Sequence, residues 1–96
     1  LTALKVTPPA PGIKPWGVQV SFGTSKDRAR DKANAQTASC RSAVKGRRLD
    51  FLFKKNRVSR RKGFYFGQYG NNTRTDAQRL CDRMRATGCT CLVVQN

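Results

Sequence analysis

The densest chemistry in the sequence is positive charge. Nine cations lie between Lys45 and Lys62 (Lys45, Arg47, Arg48, Lys54, Lys55, Arg57, Arg60, Arg61 and Lys62) against a single acid, Asp50. Such a run repels itself unless an anion lies nearby. Its arginines can grip a carboxylate through two parallel hydrogen bonds, which a lysine cannot. Directly after it come Phe64, Tyr65, Phe66 and Tyr69, rings on which a sugar or a nucleobase can stack. The whole chain of 96 residues carries 20 Lys and Arg against 5 acids, a formal charge of +15. What is missing is as informative. There is no His and no Glu, and the five Asp residues (27, 31, 50, 76, 82) show no paired spacing. Histidine-based acid–base or nucleophilic catalysis is therefore excluded, and no glycosidase dyad or magnesium cluster is marked. The cysteines at 40, 81, 89 and 91 allow three pairings, and Cys-Thr-Cys with two distant partners is poor spacing for zinc. The expectation is a non-enzymatic binder of a polyanion with no cofactor and no metal. No apolar run approaches the length of a membrane span, so no membrane insertion is expected.

These residues need a scaffold, and the patterning describes one. Residues 1–15 hold all four prolines and read as the tail of an interdomain linker, in a chain that starts without Met. From Trp16 to Phe22 the alternation of Trp16, Val18, Val20 and Phe22 with Gly17, Gln19 and Ser21 predicts a strand with one buried face. Ser25 is a natural N-cap for a helix running to Val44, with Ala29, Ala33, Gln36, Cys40 and Val44 as its inner stripe and Gly46 as its stop. Leu49, Phe51 and Phe53 mark a second strand, and Phe64 to Tyr69 a third, ending in a Gly70-Asn71-Asn72 turn. Thr73 with Asp76 starts a second helix whose face is Ala77, Leu80, Cys81 and Met84. Gly88 closes it, and Cys91 to Val94 is the last strand. The order βαββαβ predicts an α+β domain over 16–96 of ferredoxin-like or RNP-like form. Its four-stranded antiparallel sheet would carry two helices on one face and leave the other bare. A bare sheet face beside a basic loop is a binding platform.

Three segments resemble the SPOR domain, a peptidoglycan-binding module of bacterial envelope proteins. WGVQVSF (16–22) is similar to its opening strand, FYFGQY (64–69) sits where its Tyr-x-Val-x-Val strand would sit, and TDAQRLCDRMRATGCTCLVVQN (75–96) matches its cysteine-framed ending. That ending resembles versions appended to lytic transglycosylases and D-alanyl-D-alanine carboxypeptidases. The resemblance implies the fold derived above. It also implies a monomeric module in the periplasm that binds glycan strands stripped of their stem peptides, such as those at the septum of a dividing cell. Each stripped muramic acid exposes a lactyl carboxylate, which suits a cationic domain.

With Val18 and Val20 facing the core, Gln19 and Ser21 face the platform, and Gln19 matches the family's strand-one Gln. An ungapped match backwards from Cys81 turns Gly67 and Tyr69 to the core and leaves Phe66 and Gln68 on the platform, with Phe64 at its edge. The expected glycan-binding set is therefore Gln19, Ser21, Lys54, Arg57, Arg60, Arg61, Phe66 and Gln68. The ten-residue spacing of Cys81 and Cys91 is the family's and implies a disulfide; Cys40 and Cys89 could pair as well, although nothing local supports it. An even cysteine count fits an oxidising compartment. A second likeness competes. Lys62 to Tyr69 (KGFYFGQY) also resembles the third-strand motif of the RNA-recognition motif, which shares the strand order and stacks bases on its aromatics. In that reading the first strand supplies no clear stacking ring.

Overall fold

The computed structural model describes residues 13–55 and 63–96. The linker up to residue 12, and Arg57, Arg60 and Arg61, lie outside the described residues. The elements are β1 (Trp16–Gly23), α1 (Lys26–Gln36), a 3₁₀ turn (Ala38–Cys40), α2 (Arg41–Val44), β2 (Leu49–Lys55), β3 (Gly63–Asn71), α3 (Arg74–Ala86) and β4 (Leu92–Gln95). The four strands form one antiparallel sheet in the order β2-β3-β1-β4. This is the expected α+β arrangement, with a third, short helix added. β3 runs on through Gly70 and Asn71, which the sequence reading placed in the turn. No helix among the described residues is long and apolar enough to cross a membrane.

Both long helices begin where the sequence places their caps. The Arg28 amide donates to Ser25 Oγ at 3.2 Å, and the Asp76 amide to Thr73 Oγ1 at 3.1 Å. α3 ends in a Schellman turn: the Gly88 amide donates to the Arg85 carbonyl and the Cys89 amide to that of Met84, with Gly88 at φ +97°. One face of the sheet (Val18, Val20, Tyr69 and, less deeply, Val93) packs on Ala33, Ala77, Leu80, Cys81 and Met84 of the helices.

The helix expected over 25–44 breaks at Thr37, and Gln36 is exposed rather than inward. Thr37 is the reason: it is buried beside Tyr69, and its hydroxyl donates to the Ala33 carbonyl at 2.8 Å. A hydroxyl bonded back to the preceding turn competes with helix continuation. The chain instead makes a 3₁₀ turn that drops Cys40 into the core.

That turn explains the cysteines. Cys81 pairs with Cys91, and Cys40 pairs with Cys89, with Cα–Cα distances of 5.7 and 6.1 Å. The second bridge joins the corner after α1 to the Schellman turn after α3, two places that are local only in three dimensions. Two disulfides fit an oxidising, extracellular setting.

Loop-closure entropy ranks the bridges. Cys40–Cys89 spans 49 residues and Cys81–Cys91 spans 10. Replacing the first pair by Ala should cost about 4 kcal/mol and the second about 3 kcal/mol. Denaturant unfolding of the two double variants checks this, and a larger loss from the short loop would contradict it. Tyr69 gives a second test. Burial pushes its phenol above the ordinary value of 10.0, outweighing the opposing influence of the neighbouring Thr37 side chain and Arg41 charge. A raised folded-state pKa means that stability is complete below the unfolded value and is lost as pH rises through the folded one. Thermal stability should therefore fall more steeply above pH about 10 in the natural chain than in Tyr69→Phe. Lysine ionisation contributes to both curves and cancels in the difference, so identical slopes would contradict the assignment.

Candidate functional site

The face of the sheet opposite the helices carries Gly17, Gln19 and Phe22 from β1. Asp50, Leu52 and Lys54 come from β2, Phe64, Phe66 and Gln68 from β3, and Leu92 from β4. The hairpin-facing half is aromatic. Phe22 lies edge-on to Phe64 with centroids 5.9 Å apart, and 6.1 Å from Phe66. Phe22 is 51% exposed and Leu92 57%. The Lys54 ammonium sits 5.6 Å above the Phe66 ring, and Lys32 of α1 reaches to 4.9 Å from Phe22. β4 pairs with β1 only through Trp16–Gln19, so Val20 to Gly23 have no strand on that side among the described residues. A groove of about 500 Å³ opens there, bordered by Gln19, Phe22, Lys32 and Leu92.

Phe22 faces forward because of a bulge. The β1–β3 register slips between Gln19 and Ser21, with Val20 as the extra residue. Val20 and Ser21 both turn inward, and everything after them changes face. This corrects two expectations. Ser21 is not on the platform: it is 7% exposed and its Oγ donates to the Ala29 carbonyl at 2.8 Å. Phe22 is not in the core. The strand opposite accommodates the switch at Gly67, where a Cβ would meet Ser21 Oγ.

The remaining expected residues divide as follows. Gln19, Lys54 and Phe66 do lie on the open face, with Gln19 and Phe66 half-buried and Lys54 exposed. Gln68 faces the same way but is only 2% exposed. Its amide lies across Gly17, where a Cβ would overlap it, and its Nε2 has no hydrogen-bond partner. Gln68 thus presents an unused donor beneath the platform rather than a free amide on top of it. Arg57, Arg60 and Arg61 fall outside the described residues. The tyrosines are on the helix side, where Tyr65 packs at a tilt against Phe53, centroids 5.0 Å apart, and Lys26 approaches it at 6.0 Å.

The sequence reading missed Phe22 and Leu92 as platform residues. The signal available for Phe22 was Gly67: a glycine inside an aromatic strand marks a bulge or a close approach. No group of three or more potential ligands that could hold a metal occurs among the described residues. No family model, curated protein or solved structure matches this chain.

Ser21 provides a check on the bulge. Ser21→Ala should lower unfolding stability by about 1 kcal/mol, the net contribution of one buried hydrogen bond. Phe22→Asn, on the exposed side of the bulge, should cost less. The reverse ranking in denaturant unfolding would put Phe22 back in the core.

Proposed function

We propose that the chain is a SPOR-type, non-catalytic module. It binds peptidoglycan glycan strands stripped of stem peptides and so directs a parent envelope protein to the septum from the periplasm. The observation that carries this reading is the cluster of exposed Phe22 with half-buried Phe64 and Phe66 beside Lys54, on a sheet face that no helix among the described residues covers. Sugar rings stack on such aromatics, and the lactyl carboxylates of the stripped glycan suit the surrounding cations. Gln19 and the unpartnered Gln68 amide can meet hydroxyls and acetamides. The two disulfides favour a polymer outside the cytoplasm.

One finding favours the second reading, a binder of single-stranded RNA. Phe22 faces forward opposite Phe66, which supplies the first-strand ring that this reading lacked. The disulfides weigh against it.

Co-sedimentation separates the two. The domain should pellet with amidase-treated sacculi in preference to untreated sacculi or single-stranded RNA, and should keep that preference as salt is raised. Phe22→Ala, Phe66→Ala and Gln19→Ala should each weaken wall binding, about tenfold for a lost stacking ring. Preference for RNA would reverse the assignment. Equal pelleting with every polymer, abolished by moderate salt, would reduce it to unspecific charge.

A further inference from the structure

At the end of the sheet away from the β2–β3 hairpin, four cations converge from three separate stretches of chain. Lys14 precedes β1, Arg47 precedes β2, and Arg79 and Arg83 share one face of α3. Together with Asn71 and Asp76 they line a cleft of about 300 Å³. We infer that this cleft is an anion site for a phosphate-class dianion, separate from the aromatic platform and independent of what that platform binds.

The charge balance points this way. Four cations surround one carboxylate, Asp76, and the ion pairs among the described residues, Arg30–Asp27 and Arg48–Asp50, involve none of the five. Asp82, the other acid on α3, accepts a hydrogen bond from Gln78 at 2.9 Å. Arg79 and Arg83 are four residues apart on one helix, a spacing at which like charges repel. Arg83 lies in the last turn of α3, where the helix dipole favours it; Arg79 has no such compensation.

Two of the four are also held in place. The Lys14 carbonyl accepts from Asn96 Nδ2 at 2.7 Å, the Pro15 carbonyl accepts from the Asn96 amide at 2.8 Å, and the Lys14 side chain lies against Gly70. Arg47 Nη1 approaches Asn71 Oδ1 at 3.5 Å, and Asn71 is itself buried, with its Nδ2 donating to the Tyr69 carbonyl at 3.1 Å. These anchors direct Lys14 and Arg47 toward the cleft while all four side chains stay solvent-exposed, and a bound anion relieves their mutual repulsion. The cleft carries an excess of three positive charges, which a dianion offsets better than a single carboxylate. Three guanidinium forks suit an oxyanion with several equivalent oxygens.

The test is an amide NMR titration of the whole chain at fixed ionic strength, with inorganic phosphate, glycerol phosphate and acetate as probes. Phosphate should give saturable shifts at Asn71, Asn72, Arg79 and Arg83, at least tenfold tighter than acetate. Arg79→Gln with Arg83→Gln should weaken this at least tenfold, and both side chains are exposed, so the fold should be retained. Tighter glycerol phosphate would identify an ester-borne phosphate and equal affinity a free one; either supports the site. Shifts that fail to saturate, that match those with acetate, or that persist in the double variant would overturn it. Phe66→Ala should leave the phosphate response intact, so a failure of wall binding and a failure of this site are read separately.

Discussion

The open face of this domain depends on one extra residue in its central strand. β1 lies between β3 and β4, so whatever it does to the direction of its side chains is imposed on both neighbours. In regular alternation Phe22 would follow Val18 and Val20 into the helix layer. The bulge at Val20 reverses that. The reversal is held from two sides: Ser21 Oγ is bonded to the first turns of α1 through the Ala29 carbonyl, and Gly67 leaves the space that Ser21 fills. Bulges recur where a strand must re-aim a side chain. Here the consequence is that three phenylalanines from two strands meet on the solvent side, a position that hydrophobic burial alone would not choose.

A domain that places aromatic rings outward has few left for its interior. The fully buried large side chains are Leu80, Met84, Gln68, Val18 and two half-cystines. α1 contributes only Ala29 and Ala33 to the interior, so it lies close to the sheet but buries little area. Its basic side chains cover what remains: Arg30 sits 5.5 Å from the Phe51 ring and Lys26 6.0 Å from Tyr65. Part of the large positive charge therefore has a structural use, since long cationic side chains can cover apolar surface and favour the faces of rings. The two disulfides supply what the small interior does not, by restricting the unfolded chain rather than by adding apolar contacts.

The legible part of the fold was the part governed by local rules. Ser25, Thr73 and Gly88 mark helix ends through hydrogen bonds that close within a few residues, and the inner face of α3 follows from a 3.6-residue period. The faces of Phe66, Gln68 and Tyr69 in β3 were instead assigned through the resemblance, by the ungapped match back from Cys81, and the structure places them on those faces. The illegible parts depended on distant partners. The break at Thr37 falls where its side chain is buried beside Tyr69, more than thirty residues later. Cys40 meets Cys89 only because that break and the Schellman turn converge. Ser21 and Phe22 exchanged faces because period two carries no information about an inserted residue. Gln68 faces forward yet is buried, because Gly17 on the neighbouring strand gives its amide somewhere to lie.

The distribution of charge around the sheet separates two roles that composition alone merges. Lys54 and Lys32 lie against the platform phenylalanines, where a cation and a ring together form a surface suited to a ligand with both an apolar face and negative charge. Lys14, Arg47, Arg79 and Arg83 stand at the opposite strand ends, with no ring in the cleft they line. Over the six steps of the β2–β3 ladder from Lys55–Gly63 to Leu49–Tyr69, these ends are about 20 Å apart, more than twice the distance over which salt screens exposed charges under physiological conditions. The two groups therefore act on a ligand separately. A polymer lying along the sheet could meet both, whereas a small anion would select the cleft where guanidinium groups converge. The same separation explains why net charge is a poor guide to specificity here: the ring-bearing end discriminates by shape and stacking, and the ring-free end by the charge and the number of oxygens of what it holds.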